Sequence, residues 1–188
     1  EISLYIDISN GVRFNGVSSV SMADIFADNG IIHVVDAVIG LPSVVTFAVA
    51  DPTFSTLVAA LTRDDLTTDF VGVLSTATGT SPAPFTVFAP TNDAFGSLLI
   101  ELVIAGLADI DEPTLDAVLK NHVVAGANVF DTDLTDNMTV TTLGGDITAN
   151  VTGGATLTDS NGRIIDIIAT NVQADNGVIH AINRVILP

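Results

Sequence analysis

The chain lacks cysteine and tryptophan, and it has few aromatic side chains of any kind. Without cysteine it can form no disulfide framework, thiolate nucleophile or Cys-based metal site. Aromatic residues make up only 5% of the 188 residues while 48% are hydrophobic, so any core is built mainly from aliphatic side chains. A chain of this length can bury one good core and a fragment of another.

Basic side chains are also scarce. Five Lys and Arg stand against 22 Asp and Glu, which gives a net charge of −17, and Lys120 is the only lysine. So acidic a surface repels phosphate backbones and anionic lipids, which argues against nucleic-acid binding and polybasic membrane binding. Salt screens the self-repulsion of an Asp-rich, Lys-poor chain, so the composition favours a salt-adapted, microbial source.

Residues 30–50 are apolar enough to raise the question of a membrane span. His33, Asp36 and Pro42 interrupt this stretch, and β-branched residues are frequent in it. A buried strand followed by a helix start is therefore favoured over a direct membrane span. No secretory leader is recognisable at Glu1, so we expect that such a signal was removed or that the chain is an excised piece.

The chain contains a long-range repeat. Residues 27–42 (ADNGIIHVVDAVIGLP) return as residues 174–188 (ADNGVIHAINRVILP) at an offset of 147, with Gly40 as an extra residue in the first copy. Spacing of this size indicates tandem domains, because solenoid units recur every few tens of residues. We therefore expect residues 1–42 to be the C-terminal fragment of a preceding domain plus a linker, and residues 43–188 to be one complete domain.

Apolar periodicity predicts an order of secondary structure. Residues 1–42 alternate as strands. The spacing then predicts short helices over 44–48, from 52, over 66–74, over 92–103 and from 112, and strands over 85–89, 122–125, 138–143, 146–152, 155–159, 163–172 and 178–187. Helices followed by strands form an α+β pattern. Asn176–Gly177 is typical of a tight hairpin turn with positive φ.

Three blocks of this sequence resemble the fasciclin-type adhesion domain family. Residues 85–95 (FTVFAPTNDAF) resemble the family's first signature block, residues 119–126 (LKNHVVAG) the central block, and residues 177–188 the second signature block. Three blocks in the same order make a specific match. The resemblance covers residues 43–188 and implies a β sandwich or wedge with several short helices around it. Within and beside these blocks we expect structural roles for Thr86, Phe88, Pro90, Thr91, Asn92, Phe95, Asn176, Gly177 and His180.

The resemblance implies a non-enzymatic adhesion or matrix-interaction module without a cofactor. Its implied location is extracellular, on the cell surface or periplasmic. Its implied partners are cell-surface or matrix proteins or polysaccharides, and homophilic or tandem-domain contacts stay open. Two alternatives remain, namely a glycan or small-molecule binding module on the same fold and a structural spacer domain.

The resemblance also implies two candidate binding segments. One is a Tyr-His pair in the central block, and the other is an Asp-Ile pair before the Asn-Gly turn of the second signature block. The first segment corresponds to Asn121 and His122, so the tyrosine is missing. The second segment corresponds to Asp24 and Ile25 in the first copy. In the complete domain the second segment corresponds to Asn171 and Val172, without the acid.

The remaining polar residues favour structural roles. His33, His122 and His180 lie in or after apolar runs, so we expect core imidazoles that hydrogen-bond the backbone. No nucleophile elbow, P-loop, dinucleotide fingerprint or zinc-protease motif is present, and we assign no catalytic residue. Residues 131–137 look like a calcium loop but lack its Gly and its final Glu. A weak Ca²⁺ or Mg²⁺ site in an acidic cluster stays open, and we assign no metal ligand.

Overall fold

Two sheets and five α-helices make up the chain, and the computed structural model describes residues 1–188. The strands are β1 (Ile6–Asp7), β2 (Arg13–Phe14), β3 (Ser18–Ala27), β4 (Gly30–Val35), β5 (Phe85–Pro90), β6 (Val123–Ala125), β7 (Met138–Thr141), β8 (Asp146–Asn150), β9 (Thr156–Thr158), β10 (Ile164–Ala174) and β11 (Gly177–Ile182). The helices are α1 (Val44–Ala50), α2 (Ser55–Leu61), α3 (Phe70–Leu74), α4 (Asn92–Leu102) and α5 (Glu112–Lys120), with 3₁₀ turns at Pro52–Phe54, Leu107–Asp109 and Asp131–Asp133. All helices precede the run of strands β6–β11, so the architecture is α+β, as predicted.

Side-chain caps decide where several helices begin. The Asp51 side chain caps the 3₁₀ turn at Pro52–Phe54, and the Asp111 side chain caps α5, so both segments begin where the sequence predicts a helix start. The helix predicted over 66–74 begins only at Phe70, because the Asp69 carboxylate accepts a backbone N–H of its first turn at 2.8 Å. Such a bond satisfies one of the free donors at a helix start and defines the end there.

None of these helices is by itself long and apolar enough to cross a membrane. Helix α1 and residues 52–61 reach the length and hydropathy of a membrane span only when they are counted together. The two parts meet at an angle of 96°.

The seven-stranded sheet holds the core. Its order is β6-β5-β11-β10-β9-β8-β7, and β5 and β11 form its parallel pair. Both strands are buried at all six positions, which explains why neither alternates between polar and apolar residues. The larger apolar cluster joins the helices to β5 and β11, and a smaller one, containing Phe88 and Leu157, joins these strands to β6–β10.

The four-stranded sheet, ordered β1-β2-β3-β4, contains a structural copy of the β10–β11 hairpin. All five paired positions of β3 and β4 correspond to paired positions of β10 and β11 at the offset of 147. The bulge also recurs, because Asp24 and Asn171 both have a left-handed φ of 58°. The repeat in the sequence is therefore a repeat in backbone conformation.

The two hairpins differ in burial. Strand β11 is buried at every position, whereas β4 is exposed at five of its six positions. Strand β5 pairs with the outer edge of β11, while β4 has β3 as its one neighbour. The same local sequence pattern is therefore an interior strand in one place and an edge strand in the other.

The residues that precede β3 pack on the rest of the chain. The Ser3 N–H donates to the Gln173 carbonyl at 2.9 Å, and the Ser3 hydroxyl accepts the Gln173 N–H at 3.0 Å. Tyr5 packs against the larger core cluster. Gly16, with φ of 67°, lies so close to Ala50 that an added Cβ would come within 2.9 Å of the alanine Cβ. Residues 1–42 are thus attached to the domain through the residues before β3, while the β3–β4 hairpin remains exposed.

Candidate interaction site

The central-block pair lies in the interior. Asn121 and His122 follow the end of α5 and are only 3% and 2% exposed. The Asn121 amide oxygen accepts a hydrogen bond from the Thr142 hydroxyl at 3.3 Å. A partner docking on this surface would not touch either side chain directly, so any effect of this pair on binding would be through the packing around it.

His122 connects helix α5 to the C-terminal segment. Its Nδ1–H donates to the Val118 carbonyl at 2.7 Å, and its Nε2 accepts the Ile186 N–H at 3.0 Å. Desolvation in the core lowers the pKa of His122 from 6.5 to about 4, because burial disfavours the charged imidazolium. The neutral ring is therefore a structural bridge with both nitrogens engaged.

The second candidate pair occupies the bulge of β10. Asn171 is half-buried, and its side chain makes two hydrogen bonds to Asp131: its Oδ1 accepts the Asp131 N–H at 3.0 Å, and its Nδ2 donates to the carboxylate at 2.6 Å. The bond from Asn171 is the main cause that lowers the pKa of the Asp131 carboxyl. Val172 packs against the larger core cluster. This pair is consequently engaged within the domain.

The equivalent pair in the first copy is exposed to solvent. Asp24 is exposed on the bulge of β3, and Ile25 is 36% exposed beside it. The Asp24 N–H donates to the His33 Nδ1 at 3.2 Å, while the carboxylate lies 3.9 Å from the same nitrogen. Of the six candidate binding residues, Asp24 and Ile25 are thus the pair most open to a partner.

His33 is not a core residue, contrary to the expectation drawn from its repeat partner. Its side chain is 46% exposed, whereas His180 is fully buried, stacks on Phe88 at 5.7 Å between ring centroids, and donates from Nε2 to the Val129 carbonyl at 2.8 Å. Desolvation lowers the pKa of His180. The difference arises because strand β5, which carries Phe88, has no counterpart beside β4.

The other signature-block residues form a framework. The Thr86 hydroxyl donates to the Ala127 carbonyl at 2.9 Å and accepts the Val129 N–H at 2.8 Å. Thr91 caps α4, whereas the Asn92 side chain binds the backbone at residues 52 and 56. Pro90 ends β5, and Phe95 is buried in the larger cluster. These residues connect β5 to the segment after β6, and α4 to the start of α2 and the turn before it.

The Asn176–Gly177 turn differs from the prediction. Neither residue has positive φ. The residue of this hairpin that does have positive φ is Asn171, in the bulge. Asn176 is instead a buried hub: its Oδ1 accepts the Val44 N–H at 3.0 Å, and its Nδ2 donates to the carbonyls of Leu74 and residue 76 at 2.8 and 2.9 Å. Gly177 allows close packing, because an added Cβ would lie 2.4 Å from a carbonyl oxygen of β5.

The acidic clusters serve the local backbone. Asp133 accepts the Phe130 N–H at 2.9 Å, and Asp136 accepts the N–H groups of Val151 and Thr152 at 2.7 and 2.9 Å. Asp109 likewise accepts two backbone N–H groups that precede its 3₁₀ turn. No group of three or more His, Cys, Asp or Glu side chains is arranged to hold a metal ion.

Comparisons with known proteins find relatives of this chain. A family model described as the fasciclin domain matches residues 52–188. An uncharacterized protein of Synechocystis sp., sll1735, is 38% identical over 148 residues, which is 78% of this chain and 98% of that protein. Human periostin is 30% identical over 193 residues, and the fasciclin-like arabinogalactan protein of Arthroderma benhamiae is 26% identical over 174 residues. The chain spans 20% of the length of periostin and 37% of the fungal protein.

One solved structure has a similar fold over nearly the whole chain. It is a FAS1 domain pair from the insect cell adhesion molecule fasciclin I, with a TM-score of 0.62 and 19% sequence identity. The match covers 98% of this chain and 67% of that one. The similar region therefore takes in most of residues 1–42 as well as the part that the family model matches.

Proposed function

The chain belongs to the fasciclin domain family, and on this premise we propose that it is a non-enzymatic, extracellular or cell-surface module that mediates adhesion or matrix contact. The observation that carries the proposal is the exposed β3–β4 hairpin, which presents an unpaired strand edge, apolar side chains and the exposed Asp24–Ile25 pair. Exposed apolar patches and free strand edges are the surfaces through which proteins associate. The two buried histidines hydrogen-bond the backbone, which supports a structural role for them.

Within this hairpin we assign the partner contact to Asp24 and Ile25. Both residues are accessible, whereas Asn171 and Val172 at the equivalent bulge are engaged within the domain. A carboxylate beside an apolar side chain can accept a charge-assisted hydrogen bond next to a small buried contact. Cell-surface or matrix proteins or polysaccharides that offer such donors are the proposed partners.

Replacing Asp24 with asparagine tests this assignment. Asparagine tolerates the left-handed backbone at this bulge, as Asn171 does, so the fold is preserved. Beads coated with the chain would be counted on cultured cells and on wells coated with fibronectin, collagen or polysaccharide. We expect D24N to lower bead retention about tenfold, the effect of losing one charge-assisted hydrogen bond.

Asp28→Asn is the matched control, because it removes an exposed acid from the turn of the same hairpin. If the unaltered chain adheres to none of these surfaces, the adhesion proposal fails. If it adheres and D24N adheres equally well, only the assignment to Asp24 is wrong.

We further propose that residues 1–42 are the end of a preceding fasciclin-type unit and that residues 43–188 are one complete unit. The shared register of the two hairpins and their shared bulge support this, as does the fold match to a domain pair. The unpaired edge of β4 corresponds to the edge of β11 that pairs with β5. We therefore expect this edge of β4 to accept a strand equivalent to β5, in parallel orientation.

A hybrid chain tests this organisation. Residues 43–164 would be placed directly before residue 18, so that the β3–β4 hairpin completes a first unit ahead of the second. We expect the β4 amides to exchange with solvent at least about a hundredfold more slowly than in the present chain, because they become interior strand amides. Hydrogen exchange resolved by NMR measures this, with the β11 amides as internal reference. Unchanged exchange of the β4 amides would contradict the proposal.

A further inference from the structure

Helix α1 is apolar on more than its core-facing side. Its sequence is VVTFAVA, and Val44 and Phe47 are the residues it buries in the core. A surface helix normally carries polar residues on its other face. Here Val45, Ala48 and Val49 occupy that face, and Val49 is 64% exposed. The helix therefore presents a second apolar face, of which Val45 packs partly against the larger core cluster while Val49 is exposed.

This second face forms one wall of a cleft. Helix α2 contributes Val58 and Leu61 as the opposite wall, α3 closes one side, and Val87, Ala89 and Ile179 of the central strands form a buried floor. The cavity volume of the cleft is about 100 Å³. This is below the range of about 300–1,000 Å³ that is typical of sites for drug-sized ligands, but an apolar cavity of about 150 Å³ can bind benzene. The cleft therefore has room to enclose roughly one ring of an apolar ligand, with the remainder of the ligand in its open mouth.

The lining determines what could bind there. Of its 14 residues 13 are hydrophobic, and the exception is Thr62, whose hydroxyl donates to the Val58 carbonyl at 2.8 Å. The cleft therefore offers no free side-chain donor, and the Thr62 oxygen is its one side-chain acceptor. A sugar or a charged group would lose most of its hydrogen bonds to water without replacement, which disfavours its binding. The net charge of −17 further repels anions.

We propose that this cleft binds an uncharged small molecule that is predominantly hydrocarbon. The proposal goes beyond adhesion and does not depend on it, because the cleft lies among α1, α2 and α3 and involves no residue of the β3–β4 hairpin. It selects the small-molecule alternative over the glycan alternative, since the wall and floor side chains are aliphatic. The burial of apolar ligand surface against these side chains would supply the affinity.

The experiment uses two fluorescent probes that differ in charge. N-phenylnaphthylamine is neutral, and anilinonaphthalene sulfonate carries the same aromatic skeleton with an added sulfonate. We expect the full chain to bind the neutral probe saturably at one site. It should bind the sulfonated probe at least about tenfold more weakly. Equal binding of the two probes, or no saturable binding of the neutral one, would overturn the proposal.

Ala48→Leu locates the binding. The added side-chain atoms occupy the cleft, so we expect the affinity for the neutral probe to fall about tenfold or more. Ala59→Leu is the matched control on the exposed side of α2, and Phe26→Ser controls for the other apolar surface, where Phe26 is 80% exposed. Neither control should change binding. Loss of binding in Phe26→Ser, or unchanged binding in Ala48→Leu, would contradict the assignment.

Two further measurements keep the result unambiguous. Circular dichroism checks that Ala48→Leu folds, and if it does not, the nearly isosteric Val58→Thr places a hydroxyl in the cleft and should weaken the neutral probe severalfold. Cosedimentation with phosphatidylcholine vesicles distinguishes a ligand pocket from a membrane-inserting face. We expect the chain to stay in the supernatant, and vesicle binding that Ala48→Leu abolishes would assign the cleft to lipid bilayers instead.

Discussion

Replacing Gly177 with alanine is expected to abolish or severely reduce folding. An added Cβ would lie 2.4 Å from the Phe85 carbonyl oxygen and 2.9 Å from a methyl group of Val44. The carbonyl belongs to the parallel strand that pairs with β11 in the centre of the core, so it cannot move without opening the sheet. We expect a loss of at least about 3 kcal/mol in the free energy of unfolding, measured by urea titration.

The repeat provides a matched control for this substitution. Gly30 holds the equivalent place in the β3–β4 hairpin, yet an added Cβ there would meet no atom within 4 Å. Gly30→Ala should therefore change the free energy of unfolding by no more than about 0.5 kcal/mol. Equal effects of the two substitutions would show that the requirement comes from the turn sequence and not from the neighbouring strand.

Acidification below pH 6.5 is expected to destabilise the chain through His122. The pKa of this ring is about 4 in the folded protein and 6.5 when it is exposed, so the unfolded chain binds the extra proton first. The stability that the neutral ring contributes is complete above pH 6.5 and is lost as the pH falls toward 4. The shift corresponds to about 3 kcal/mol. Protonation would also place an N–H on Nε2, where it would face the Ile186 N–H.

An NMR titration and one variant separate this effect from the other titrating groups. The His122 ring signals should stay those of the neutral form down to pH 5 and change with a midpoint near 4. His122→Phe should be less stable at pH 7, but its stability should depend less on pH between 6.5 and 4. His180, whose pKa is also lowered, contributes in the same direction in both proteins. A His122 midpoint near 6.5 would refute the bridging role.

Local chemistry made many elements predictable. The helix starts at residues 52 and 112 could be predicted because the Asp caps that define them are neighbours in sequence. The alternation of the late strands and the run of buried residues in β5 likewise reflect which faces are covered. The apolar pattern of 66–74 predicts too early a start for α3, because it does not show which acid accepts the first free N–H of the helix.

The candidate site was harder to predict. The sequence equates Asp24 with Asn171 and His33 with His180, and the backbone confirms the equivalence. The sequence does not show that Asp24 and His33 are exposed while Asn171 and His180 are engaged in the domain. Burial depends on whether a strand from a distant part of the chain lies beside the hairpin. The role of Asn176 could not be derived for the same reason, as its partners at Val44 and Leu74 are about a hundred residues away.

By itself, then, the sequence determined the family, the α+β order of elements, the repeat and the residues able to form turns and caps. These are properties of neighbouring residues or of patterns that repeat along one strand or helix. Only the tertiary structure decided that Gly177 is needed for its small size, that His122 is a neutral bridge, that Asp24 is exposed and that an apolar cleft lies between α1 and α2. Each of these depends on atoms that folding brings together from distant positions, and no local pattern encodes that proximity.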